Sequence, residues 1–130
     1  HVENAEKIAQ FLEKHKQVES VNYAGLKSSP WHKAAKKYAP KGAGAIVSFE
    51  IKGGVTAGSR FVDSLNLFSH VANIGDVRSL VIHPASTTHA AMTAADRAKA
   101  GVTDKLVRLS IGVEDADDLI ADLAQALDLL

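Results

Sequence analysis

Two hydrophobic periods take turns along this chain, and their alternation limits what it can fold into. Ala5, Ile8, Phe11 and Leu12 recur at helical spacing and give residues 2–16 one apolar face. A β-branched and aromatic run at 18–23 reads as a strand. Ser28, Ser29 and Pro30 announce a second helix, since serine satisfies orphan amide groups and proline is tolerated in a first turn; it should end before Pro40. Lys41-Gly42-Ala43-Gly44 is a turn, and Val47, Phe49 and Ile51 then alternate onto one face of a strand over 45–51, which Gly53 and Gly54 break. Phe61, Leu65 and Phe68 mark a helix over 56–69. A third strand is expected at 79–82, a short helix at 93–99 stopped by Gly101, and a fourth strand at 105–111. From Asp115 onward, Leu119, Ile120, Leu123 and Leu127 form a last helix, with acids in the first turn where the dipole favours them. Helices interleaved with strands bury their apolar faces by layering, so the expected class is α/β. Periodicity leaves the strand order open.

At 130 residues the chain is one domain, 1–130, with room for a real core and little for a second. Fifteen basic residues balance fifteen acidic ones, so no global field steers it to nucleic acid or an anionic membrane. No apolar run approaches the roughly 20 residues of a membrane span. The absence of cysteine excludes disulfides and thiolate metal sites and is compatible with a cytoplasmic location. The chain opens directly on helical sequence, which reads as a fragment of a larger protein.

Arg108 is the leading candidate for chemistry. A period of two places Val107, Leu109 and Ile111 on one face and turns Arg108 to the other, with Leu106 and Ser110. A guanidinium there can bind a carboxylate through two parallel hydrogen bonds. The plainer alternative is a solvated arginine paired to Asp104 or Glu114. Asn73-Ile74-Gly75-Asp76 has good turn chemistry without any ligand, and Thr87 and Thr88 read as simple capping hydroxyls. His70, His83 and His89 invite a metal site, but no pair has the i, i+4 helical arrangement with a glutamate between, so they read as structural or surface residues. Gly53-Gly54 and the Gly42/Gly44 pair lack the spacing and lysine of a phosphate loop.

Several separated stretches point further. NLFSHVANIGDVRSLVIHPASTTH at 66–89 and VRLSIGVE at 107–114 stand with GAGAIVSFEIKGG, SLNLF and LVRLSIGVED in a fixed order, between the HVENAEKIAQFLEKH start and the DLIADLAQAL end. Together they resemble the C-terminal domain of the pyridoxal-phosphate-dependent Cys/Met metabolism enzymes, and within that family the O-acetylhomoserine sulfhydrylase branch. The resemblance implies a small layered domain: a mostly antiparallel sheet of about four strands, covered by helices on one side. It implies that Arg108 holds the substrate carboxylate, that Asn73 lies beside it, and that Thr88 is a weaker third contact. Many transsulfuration relatives carry serine-leucine-glycine-glycine where this chain has Asn73-Ile74-Gly75-Asp76, a departure that fits sulfhydrylases better than lyases. An amide both donates and accepts, so the contact survives the change.

The implied parent reaction joins O-acetylhomoserine to sulfide or a thiol, giving homocysteine or methionine and acetate, in methionine biosynthesis. Nothing in the chain resembles the lysine that carries pyridoxal phosphate, so the cofactor is expected on a larger domain absent from these residues, and the chain alone is expected to be inactive. The intact enzyme is expected to be a cytoplasmic homotetramer acting on an amino-acid substrate. The same domain of a cystathionine gamma-synthase or lyase, and a free-standing non-catalytic carboxylate-binding module, are the alternatives.

Overall fold

The computed structural model describes residues 1–130. Helix α1 (Val2–Lys14) leads into strand β1 (Val18–Asn22), helix α2 (His32–Tyr38), strand β2 (Ile46–Ile51) and helix α3 (Val55–Asp63). Strands β3 (Ser69–His70) and β4 (Leu80–Ile82) follow, then a 3-10 turn at Pro84–Ser86, helix α4 (Ala94–Lys99), strand β5 (Leu106–Ser110) and helix α5 (Ala116–Asp128). The sheet has five strands in the order β1-β2-β5-β4-β3. Three of its pairings are antiparallel, and only β3 runs parallel to its neighbour β4. The layered, mostly antiparallel α/β class is therefore as expected, with five strands rather than about four. Two residues are too short to show a period, which is why β3 left no mark on the sequence.

One face of the sheet is the core. Val47, Phe49 and Ile51 of β2 and Val107 and Leu109 of β5 are buried there, with Ile111 just beyond. They pack against Ile8 and Leu12 of α1, Phe61 of α3, and Leu119, Leu123 and Leu127 of α5. Phe61 meets Phe49 edge to face at 5.8 Å between ring centroids, an arrangement that suits the ring quadrupoles. The period-two reading of both strands thus holds.

Two helix boundaries differ from the sequence expectation. Alpha-helix α3 stops at Asp63 instead of running to residue 69. In a longer helix the amide groups of Asn66 and Leu67 would donate to Val62 and Asp63. They donate instead to the carboxylate of Asp122 on α5, at 2.9 and 2.8 Å. Phe68 then reaches the core from the loop. The second helix begins at His32 rather than at Pro30, because Ser29 Oγ accepts from Trp31 N at 3.2 Å and closes a turn first.

The other helix ends follow local chemistry. Thr93 Oγ1 accepts from Asp96 N at 3.2 Å and caps α4. Asp115 accepts from Asp117 N at 2.8 Å and caps α5. Gly101, with φ of 75°, takes the left-handed conformation that ends α4.

Candidate functional site

Arg108 sits in the middle of β5, opposite Ser48 of β2 and Ile82 of β4. Its neighbours Val107 and Leu109 point into the core, so the guanidinium projects from the other face, half-buried. The carboxylates of Asp104, Glu114 and Glu50 are all engaged elsewhere. Asp104 pairs with Arg97 at 2.7 Å. Glu114 accepts from Ser79 N at 2.7 Å and Ser79 Oγ at 2.9 Å. Glu50, diagonal to Arg108 across β2, accepts from Thr103 Oγ1 at 2.7 Å and Ser20 Oγ at 3.2 Å. Arg108 itself forms none of the chain's five ion pairs. A half-buried cation without an internal partner is suited to an anion from outside.

The loop between β3 and β4 brings Asn73 to this arginine, through its backbone. Arg108 Nη2 reaches the carbonyl of Asn73 at 3.5 Å, a long contact. The Asn73 side chain is turned back on its own loop, where Oδ1 accepts from Ile74 N at 2.8 Å. Two residues on, Asp76 accepts from Arg78 N at 2.9 Å, from Nε at 3.2 Å and from Nη2 at 2.9 Å. The guanidinium of Arg78 holds the Asp76 carboxyl at about 2, below its ordinary 3.8. Arg78 is thereby occupied, which leaves Arg108 as the guanidinium free to take a carboxylate on this side of the molecule.

Thr88 is exposed, and its Oγ1 lies 2.8 Å from His89 Nδ1. It makes no hydrogen bond to Arg108 or Asn73. Of the three sequence candidates, the fold joins Arg108 and Asn73 and leaves Thr88 on the adjoining loop.

The base of the loop is tied to the sheet by Glu114, which the sequence offered only as a partner for Arg108, and by Ser79, Gly112 and Asn4, which sequence reasoning did not single out. Glu114 holds Ser79, Ser79 Oγ accepts from Gly112 N at 2.8 Å, and Asn4 Nδ2 donates to the Glu114 carbonyl at 2.7 Å. Gly112 is required by close approach: a Cβ there would lie 2.3 Å from the Val77 carbonyl oxygen. Contacts spanning more than thirty residues carry no local pattern from which to find them.

Residues 1–128 match the family model of the Cys/Met metabolism PLP-dependent enzymes. The chain belongs to this family. It is 55% identical over 123 residues to the O-acetyl-L-homoserine sulfhydrylase of Corynebacterium glutamicum, covering 95% of this chain and 28% of that protein. It is 48% identical over 130 residues to an L-methionine gamma-lyase of Treponema denticola, covering 100% of this chain and 32% of that protein. Among solved structures, an O-acetylhomoserine (thiol)-lyase of Campylobacter jejuni, determined with pyridoxyl-lysine monophosphate, superposes with a TM-score of 0.90 at 46% identity. That match covers 98% of this chain and 30% of the other. The chain spans less than a third of the length of these Cys/Met family relatives.

The family cofactor needs a lysine amine held ready for a Schiff base, helped by a lowered pKa. No lysine here fits. All but Lys105 are exposed. Lys105 is bound to Glu19 at 2.8 Å, and that hydrogen bond raises its pKa rather than lowering it. Among these Cys/Met family residues, then, Arg108 is a half-buried guanidinium without an ion pair, and Lys105 is held by Glu19.

Proposed function

We propose that this chain is the C-terminal domain of a pyridoxal-phosphate-dependent O-acetylhomoserine sulfhydrylase and holds the carboxylate of the amino-acid substrate on Arg108. The parent reaction is the exchange of acetate on O-acetylhomoserine for sulfide or a thiol. The lysine that binds the cofactor comes from a larger domain outside these residues, so the 130 residues by themselves do not turn over substrate. The whole protein is a cytoplasmic homotetramer in this reading.

The observation that carries the reading is the unpaired guanidinium of Arg108 on the face of the sheet away from the core, with Asp104, Glu114 and Glu50 all engaged elsewhere. Asn73 borders the site through its carbonyl, and Thr88, bonded only to His89, enters this reading as a third contact from the family resemblance alone. The second reading, a lyase acting on a related amino acid, is favoured by the L-methionine gamma-lyase relatives at 48% identity. It uses the same arginine for the same carboxylate and differs in what happens at the far end of the substrate.

The test is Arg108→Ala in the full-length enzyme. Removing one member of a desolvated, charge-assisted pair costs about 2–5 kcal/mol, seen as a loss of kcat/KM for the amino-acid substrate with cofactor absorbance unchanged. Arg108→Lys recovers part of the loss, since an ammonium does not reproduce the two-pronged geometry. Unaltered kinetics in both variants would return Arg108 to a solvated strand face.

A further inference from the structure

His83 is completely buried, yet it belongs to neither the apolar core nor the rim of the carboxylate site. It follows Ile82, the residue opposite Arg108 in the β4–β5 ladder. Its Nε2 lies 2.9 Å from the carbonyl oxygen of Asp104, and its Nδ1 lies 2.8 Å from Ser86 Oγ. A carbonyl oxygen only accepts, so Nε2 carries the proton, and in the neutral ring Nδ1 accepts from the serine hydroxyl.

The ring therefore joins two pieces of chain. On one side is the turn after β4, whose end also binds back: Thr87 Oγ1 donates to the His83 carbonyl at 2.8 Å, and His89 N donates to the Pro84 carbonyl at 2.8 Å. On the other is Asp104, two residues before β5, whose carboxylate is held by Arg97 of α4 at 2.7 Å. Arg97 in turn donates to the Met92 carbonyl at 2.8 Å. Asp104 is thus gripped at its carbonyl and at its carboxylate, four positions ahead of Arg108. Behind the ring, a Cβ added at Gly58 would lie 2.2 Å from Nε2, so the imidazole fills the space that a side chain on α3 would take at that position.

We infer that His83 is a positioning residue for Arg108: through its Nε2–H bond to Asp104 it sets where β5 begins relative to β4, and so where the guanidinium stands. The inference rests on the proposed role of Arg108 as the carboxylate holder. A buried ring bonded at both nitrogens transmits position with little slack, because neither bond can be exchanged for water.

Three substitutions separate the two bonds. The amide nitrogen of His83→Gln reaches the Nε2 position and keeps the bond to Asp104; the amide oxygen of His83→Asn reaches only the Nδ1 position and keeps the bond from Ser86; His83→Leu keeps neither. In the full-length holoenzyme, His83→Asn and His83→Leu are expected to raise KM for O-acetylhomoserine about tenfold, with kcat and cofactor absorbance nearly unchanged, while His83→Gln stays close to the parent. Amide exchange in the 130-residue chain gives a readout that needs no cofactor: exchange at residues 105–110 should quicken in the Asn variant and not in the Gln variant. Should the Leu variant not fold, the comparison of Asn with Gln decides.

Equal kinetics and equal exchange in Asn and Gln would overturn the inference, as would a uniform loss of kcat, KM and cofactor in every variant. Arg108→Ala is measured alongside. If it leaves KM unchanged, the carboxylate reading fails, and the amide exchange still decides whether His83 places β5.

Discussion

Arg108 meets Asn73 at the backbone, with Nη2 3.5 Å from the Asn73 carbonyl, while the Asn73 amide oxygen is spent on the neighbouring Ile74 N. A carbonyl contact survives any substitution at residue 73, and the amide contact does not. Asn73→Ala therefore removes only the bond that shapes the loop, a loss of about 0.5–1.5 kcal/mol. Substrate kinetics of the full-length enzyme should show a rise in KM of a few-fold, and Asn73→Ser should keep most activity because its hydroxyl also accepts from the loop amide. A melt that shifts while KM stays put would remove Asn73 from the site.

Asp122 on α5 is the clamp that ends α3. Its carboxylate accepts from Asn66 N and Leu67 N and is almost wholly buried. Asp122→Ala leaves two amide donors without their charged acceptor and should destabilise the domain by about 1.5–3 kcal/mol in urea unfolding. Asp122→Asn keeps one acceptor oxygen and should lose less. A change below about 0.5 kcal/mol for the alanine variant would show that water replaces the carboxylate at no cost.

The Asp76–Arg78 pair makes a prediction about acid. Hydrogen bonds from Arg78 lower the Asp76 carboxyl to about 2. A depressed folded pKa contributes stability that is complete above the ordinary value of 3.8 and is lost as the pH falls through about 2. Loop 73–78 should therefore stay ordered at pH 4 and loosen between pH 3.8 and 2. A carboxyl titration by NMR should give the Asp76 midpoint near 2, and Arg78→Gln should return it towards 3.8. Added salt should weaken the effect because the pair is exposed. An ordinary midpoint in the parent protein would dissolve the clamp.

Gly58 lies inside α3, where alanine ordinarily improves a helix by up to about 1 kcal/mol. Here the sign should reverse. A Cβ at residue 58 would stand 2.2 Å from a His83 ring held by two hydrogen bonds. Gly58→Ala should cost about 1–3 kcal/mol by overpacking. Chemical denaturation measures it, and a stabilised variant would mean that the ring has room to move.

The class of fold was legible in the sequence because periodicity is a local property. A strand turns alternate side chains to opposite faces wherever it lies, so Val107, Leu109 and Ile111 could be assigned to the core and Arg108 to the other face before any partner was known. The starts of the last two helices, at about 93 and 115, were legible for the same reason, and Thr93 and Asp115 there bond amide groups two or three residues away. The separated motifs were legible too, and they pointed to the family that the whole-chain match bears out.

Choices among distant partners were not legible. Apolar spacing carried the third helix on through Leu65 and Phe68, and nothing within that segment says that Asp122, 55 residues away from Leu67, will claim its amide. Glu114 and Asp104 stood in the sequence as possible partners for Arg108, equal on spacing to any other acid. Packing decided between them, by placing Ser79 against one and Arg97 against the other, and so left the guanidinium free. His83 is the same kind of case: its burial, its protonated nitrogen and its grip on Asp104 exist only once β4, β5 and α3 have come together. Side-chain direction along a strand follows from backbone geometry alone, whereas hydrogen-bond partners are settled by which buried groups would otherwise go unpaired.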